Sequence, residues 1–228
     1  MEVKKLNHLA IIMDGNRRWA KVNGRSVPEG HRAGAEKIKE LCQWALDAQV
    51  KILTLFAFST ENWKRSPEEV AFLMSLIEKF LAENGEELIQ KGGRLSVIGR
   101  RDRLAKSMVE KIEDIESRSR GNEKGWLRIA IDYGGRNEIT DAVRKLIREK
   151  IEESAVTEEF LSSMMYDPCP DPDLIVRTSG ELRLSGFLLW QSAYAEFLFL
   201  NKHWPALGKG DFDSILEEFA KRERRYGK

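Results

Sequence analysis

The segment Met13-Asp14-Gly15-Asn16-Arg17-Arg18-Trp19 carries the residue types that an anion site needs. An acid, a glycine, an amide and two arginines stand directly behind the apolar run 9–12, Leu-Ala-Ile-Ile. Such a run reads as a buried strand, Gly-Asn as a turn, and the chain from Arg17 or Arg18 onward as a helix opening. Free amides at a helix start and guanidinium forks favour phosphate, and a hard carboxylate beside them suits Mg²⁺. The plainer alternative is a strand–turn–helix in which Asp14 only caps the helix. The motif alone leaves both open.

The same chemistry recurs behind other apolar runs. Runs at 9–13, 52–58, 95–98, 127–131, 174–176 and 196–200 alternate with segments of 3.6 period, such as Ile38, Leu41, Cys42, Ala45 and Leu46. That alternation predicts an α/β fold: one domain over residues 1–228, with a mostly parallel central sheet of about six strands flanked by helices. The proline-rich 167–172 reads as a stiff loop inside the domain. Behind the second run come Ser59, Glu61, Asn62, Trp63 and Arg65; behind the fourth, Asp132, Gly134, Gly135 and Arg136. Behind the fifth come Arg177, Thr178, Ser179 and Arg183. In an open α/β sheet these positions share one edge, where ligands bind. Arg18, Arg65, Arg136, Arg177 and Arg183, converging there with glycines, hydroxyls and the prominent acid Asp14, imply a multiply charged anion accompanied by Mg²⁺.

Composition narrows the classes. Lys and Arg number 38 against 37 Asp and Glu, so no global basic field for nucleic acid exists. The two cysteines, Cys42 and Cys169, have no metal spacing and read as reduced thiols of a cytoplasmic protein. No uncharged run approaches the ~18 residues of a membrane span, so membrane contact is expected to be peripheral at most. Phosphate-loop, dinucleotide-binding and nucleophile-elbow signatures are missing, as are zinc spacings and an aspartate-rich D-D-x-x-D.

At this point the blocks resemble the cis-prenyltransferases, the undecaprenyl diphosphate synthase family. They run from His8 to Asn16, Gly30 to Gly34, Phe56 to Trp63, Asp132 to Arg136, Asp173 to Thr178 and Phe187 to Glu196. The resemblance implies condensation of isopentenyl diphosphate with an allylic diphosphate by a Mg²⁺-dependent homodimer, with an apolar tunnel for the prenyl chain. Helices near 36–47 and 70–89 are the candidate tunnel walls. The implied roles go position by position. Asp14 carries Mg²⁺ to the allylic diphosphate and, with Asn62 and His31, makes up the catalytic set. Gly15, Asn16 and Arg18 wrap that diphosphate, and Arg17 and Trp19 fall in the same binding segment. Ser59 and Asn62 lie beside the condensation point. Arg177, Arg183 and Ser185 hold the diphosphate of isopentenyl diphosphate, and Glu196 contributes to metal binding across the dimer. Trp63, Arg65 and Glu69 fall on a loop that closes over substrate.

Three departures from the common bacterial pattern stand out: Val27 where many long-chain members have arginine, with Arg25 as the nearby substitute; Arg17 in place of glycine; and Gly186 after Ser185. They bear on primer and product length. His8 and His203 read as structural residues, Trp44 and Trp190 as core or interface. The cationic tail 221–226 reads as a solvated helix end. Two competitors are a non-catalytic partner subunit on this fold and a phosphate- or RNA-binding α/β protein; irregular coupling of two allylic diphosphates is a third reading within the enzyme class.

Overall fold

Short runs that are apolar at every position, rather than at alternate ones, need a sheet covered on both faces. The computed structural model, which describes residues 5–222, has that sheet. Its strands are β1 (His8–Ile12), β2 (Ile52–Ser59), β3 (Gly93–Ile98), β4 (Gly125–Tyr133), β5 (Leu174–Arg177) and β6 (Glu196–Phe199). They lie in the order β3-β4-β2-β1-β5-β6, all parallel. The two-residue period of β1 splits its side chains cleanly. Leu9 and Ile11 enter one large core, with Leu53, Leu55, Leu41 and Phe212; Ala10 and Ile12 enter a smaller one, with Ala130, Ile175 and Phe187.

The helices among the described residues are α1 (Asn16–Val22), α2 (Val27–Asp47), α3 (Pro67–Gln90), α4 (Lys106–Ser119), α5 (Gly135–Arg148), α6 (Glu158–Ser163) and α7 (Lys209–Lys221). Local chemistry sets the starts of the two longest. Ser26 and Glu29 form a reciprocal capping box at α2 with Pro28 in its first turn, and Ser66 caps α3 ahead of Pro67. From β1 the chain moves to β2 on one side, and after β4 it returns to β5 on the other. The C-terminal end of β1 therefore sits at the reversal of the winding, where an open sheet leaves a crevice.

One sequence expectation is corrected here. Asp14 does not cap α1; Gly15 occupies the cap position at φ 102°, and the helix opens at Asn16, ahead of Arg17. The carboxylate is turned elsewhere. Of the cationic tail, residues 223–226 lie outside the described residues.

His8 is structural, as expected, and it makes the fold acid-sensitive. Its ring is fully buried: Nδ1 donates to the Pro170 carbonyl at 2.7 Å and Nε2 accepts from Thr54 Oγ1 at 2.7 Å. Burial above all, then the Arg128 guanidinium, outweighs the raising effect of Pro170 and Asp173 and lowers its pKa to about 4. The unfolded chain thus binds a proton that the native one refuses between pH 6.5 and about 4. Stability from this group is complete above that window and lost as pH falls through it, by roughly 3 kcal/mol. Urea unfolding at a series of pH values checks this; a midpoint that holds level from pH 7 to 4.5 overturns it.

Candidate active site

The crevice at the C-terminal edge of the sheet is a cleft of about 640 Å³. Asp14 and Asn16 reach it from behind β1, Ser59, Asn62 and Arg65 from behind β2, Arg136 from the start of α5, and Arg177 and Ser185 from β5 and its following loop. His31 enters from α2, while Phe56, Leu73 and Leu189 supply apolar wall.

Asp14 is the hub. Arg177 Nη2 donates to Oδ2 at 2.8 Å, and Arg18 Nη2 lies 3.0 Å from Oδ1. Burial works to raise the Asp14 carboxyl, but the hydrogen bonds and charges of Arg177 and Arg18 prevail and hold it below the usual carboxylate range. It is an anion at every working pH. Its backbone is equally fixed: the amide donates to Thr178 Oγ1 at 2.9 Å, Thr178 Oγ1 donates to the carbonyl at 2.7 Å, and the Trp204 amide donates to the same carbonyl at 3.0 Å. Arg177 is only 5% exposed, and its Nη1 also donates to Ser185 Oγ at 2.8 Å and to the Arg183 carbonyl.

Around this hub several polar atoms await partners. Asn16 Oδ1, His31 Nε2 and Arg177 Nε are buried without a hydrogen bond. Buried polar groups are nearly always satisfied, so three orphans among residues of one cleft mark a place built for a polar ligand. His31 Nε2 lies 3.4 Å from Glu69 Oε1, but without the alignment of a hydrogen bond. Burial first and the Arg65 charge second depress the His31 pKa, so the imidazole is neutral at neutral pH. Asn62 Oδ1 accepts the Ser59 amide at 3.0 Å, which leaves Nδ2 as the donor of that side chain. Gly34 lets α2 approach closely: a Cβ there would fall 2.2 Å from Asn16 Oδ1.

The other expected residues are placed less centrally. Arg18 stands behind Asp14, its Nη1 donating to the Ser179 carbonyl at 3.0 Å and to Glu181 at 3.2 Å. Arg183 pairs with the other Glu181 oxygen and is 61% exposed. Arg65 donates to Glu69 at 2.9 Å, and Arg17, well exposed, reaches the same carboxylate at 3.9 Å. Trp19 lies half-buried on α1. Trp63 stands outside the cleft lining: its indole donates to buried Asp132 at 2.8 Å and its ring packs edge-on against Phe58. Asp132 is claimed besides by Arg103, so this cluster braces the floor behind β2. Glu69 belongs to the capped first turn of α3 rather than to a loop.

Glu196 is not brought to Asp14 within one chain. In register it faces Leu174, whereas Arg177, which touches Asp14, faces Phe199. Three residues of parallel strand put it about 10 Å down the sheet, toward the opposite edge. It pairs with Arg222 at 3.3 Å. Sequence reasoning also missed the pair Ser179 Oγ and His203 Nδ1, 2.6 Å apart beneath Gly15, because nothing in the spacing of His203 signals it.

A second, apolar cavity of about 160 Å³ lies between α2, α3 and the N-terminal halves of β2, β3 and β4. Phe80, Leu53, Leu95 and Leu127 wall it, with Cys42 and Ala45 of α2. Leu73 at the cleft and Phe80 at the cavity are seven residues apart on α3, two turns or about 10 Å. Both helices named by the resemblance, near 36–47 and 70–89, contribute to this lining.

A family model described as "Putative undecaprenyl diphosphate synthase" matches residues 12–227. The chain belongs to this family of cis-prenyltransferases. An isoprenyl transferase of Thermotoga maritima is 46% identical over 96% of both chains. A tritrans,polycis-undecaprenyl-diphosphate synthase, geranylgeranyl-diphosphate specific, of Pyrococcus abyssi is 44% identical over 97% of this chain and 86% of its own. Among solved structures, lavandulyl diphosphate synthase from Lavandula x intermedia in complex with dimethylallyl diphosphate superposes with a TM-score of 0.93. It is 35% identical, over 98% of this chain and 99% of that one. This cis-prenyltransferase is thus a transferase of prenyl groups, with the parallel sheet that its sequence predicted.

Proposed function

We propose that the enzyme joins isopentenyl diphosphate to an allylic diphosphate primer and extends it with Z double bonds. The observation that carries this reading is the Asp14 carboxylate clamped between Arg177 and Arg18 at the mouth of a polar cleft, two helical turns from an apolar cavity. A diphosphate head and a hydrocarbon tail ask for that pairing.

The residues present also fit Mg²⁺. Mg²⁺ keeps most of its waters and takes one or two carboxylates together with substrate phosphates. The cleft offers Asp14 for this, and among the described residues no cluster of three or more acidic, histidine or cysteine ligands forms a cage. When bound, the ion would supply charge against the departing diphosphate. The protein's own groups do the rest. Arg18 and Arg65 are the cations for the negative charge that gathers on the leaving oxygens of the allylic diphosphate, and Arg177, bonded to Ser185, is the one for the diphosphate of isopentenyl diphosphate. Asn16, Ser59, Asn62 and Ser185 donate or accept to orient the two diphosphates, and neutral His31 contributes a hydrogen bond rather than a charge. The homoallyl double bond attacks the allylic carbon as the diphosphate departs, and loss of a proton leaves the new alkene. Alignment of the two substrates accounts for up to ~7–11 kcal/mol of the barrier.

A homodimer is part of this proposal. Glu196 reaches a neighbouring cleft only from a second copy, and Leu182, Tyr194 and Phe197 expose apolar surface around β6. The test is a product assay with Mg²⁺, labelled isopentenyl diphosphate, and dimethylallyl, geranyl or farnesyl diphosphate in turn. A Z-configured ladder or single long product supports the reading. No elongation from any primer overturns it in favour of a non-catalytic partner subunit, and a branched product from dimethylallyl diphosphate alone assigns irregular coupling.

A further inference from the structure

The far end of the apolar cavity opens on the sheet edge opposite the cleft, among residues at the starts of β2, β3 and β4. Lys39, Lys51, Lys91 and Lys124 line it, all exposed, beside Leu46, itself 39% exposed, and Leu88. Glu87 is the one acid in that lining, and Lys91 neutralises it at 2.7 Å. We propose that this rim is a docking face for a bilayer containing anionic phospholipid. The inference rests on the prenyl-chain reading of the cavity.

Local helix chemistry does not explain the lysines. Lys91 follows the end of α3, where a cation suits the dipole, but Lys39 lies in the middle of α2, and Lys51 and Lys124 precede strands. Four cations from four separate segments are gathered only by the tertiary fold. They surround an apolar opening, which a polar polyanion such as RNA would leave unused. Lysine stems cover hydrocarbon while their ammonium groups stay in water, the arrangement of a membrane interface. Size points the same way. About 160 Å³ matches a cavity that holds one benzene-sized molecule, so a chain of several five-carbon units overruns it. The overrun leaves through the lysine rim, where acyl chains receive the tail and lipid phosphates meet the ammonium groups.

Cosedimentation of the native protein with phosphatidylcholine vesicles, with and without phosphatidylglycerol, tests this at low salt. Binding is expected only to the anionic vesicles. The variant Lys39→Gln/Lys51→Gln/Lys91→Gln/Lys124→Gln should lose about fivefold per lysine, on the order of 10²-fold or more in all. A charge-matched control, Lys106→Gln/Lys145→Gln/Lys150→Gln/Lys209→Gln, changes exposed lysines elsewhere and should lose far less. Thermal unfolding and circular dichroism establish that both variants are folded. Vesicle binding that is absent, indifferent to phosphatidylglycerol, or equally weakened in the control overturns the proposal. So does rim-dependent binding of single-stranded RNA without vesicle binding. No substrate enters the vesicle assay, so its failure is distinct from failure of the product assay.

Discussion

Asp14→Asn lowers kcat/KM for condensation by roughly 10³-fold or more, while the protein stays folded. Each carboxylate oxygen of Asp14 engages a different arginine, Oδ1 with Arg18 and Oδ2 with Arg177. An amide has one acceptor. Its NH₂ would face a guanidinium, donor against donor, so one arginine must swing out of the place that a substrate diphosphate needs. Loss of a single pre-placed group of this kind costs 10²–10³ in rate, and here the anion and an arginine position go together. The stability effect is smaller, about 1–3 kcal/mol, because Asp14 is partly open to water while Arg177 loses one of its partners. Steady-state kinetics beside thermal unfolding separates the two effects. Activity within tenfold of the native enzyme would mean that Asp14 serves only to anchor Arg18 and Arg177, and would sink the site. Arg177→Lys should fall short as well, since an ammonium cannot reach Asp14, Ser185 and the Arg183 carbonyl in one plane.

The second large effect is on the backbone. Gly15→Ala should destabilise the protein by about 3 kcal/mol, or roughly 6–12 °C in Tm for a chain of this length. Gly15 sits at φ 102°, a region that costs a side chain 1–2 kcal/mol by itself. Its new Cβ would also fall 2.5 Å from Ser179 Oγ and 2.9 Å from His203 Nδ1. Both neighbours are held, since they hydrogen-bond each other at 2.6 Å. Ser179 is itself at φ 79°, a position that glycine fills without strain. The double variant Gly15→Ala/Ser179→Gly should therefore recover a large part of the loss, because it removes the clash and relieves Ser179. Differential scanning calorimetry of the single and double variants decides; simple additivity would show that the clash is not the cause.

Much of this was legible in the sequence. The alternation of short apolar runs such as Leu9-Ala10-Ile11-Ile12 with segments of 3.6 period determines a mostly parallel sheet covered by helices, because each strand must bury both faces. The phosphate-binding edge followed, since residues directly behind parallel strands must emerge together. That is how Asp14, Ser59, Asn62, Arg136 and Arg177 were found from position alone, whereas the tunnel walls near 36–47 and 70–89 came from the family resemblance. Composition also determined that no helix of the described chain is apolar and long enough to cross a membrane.

Other properties belong to the tertiary structure alone. The strand order decided that β5 lies beside β1, and only that adjacency carries Arg177, 163 residues from Asp14 in sequence, into a 2.8 Å contact. Register decided that Glu196 lies three residues away from Arg177 along the sheet, beyond reach of Asp14 in the same chain. Close packing decided that Trp63 serves Asp132 and the core, and that His203 props the turn at Gly15. The lysine rim has the same origin, since its members are scattered through 39–124 and meet only where strand starts and helix ends converge. Periodicity and spacing act over one element and its neighbours. Contacts across the sheet depend on the order in which strands are laid down and on the angle at which each side chain leaves them, and a linear pattern of residue types records neither.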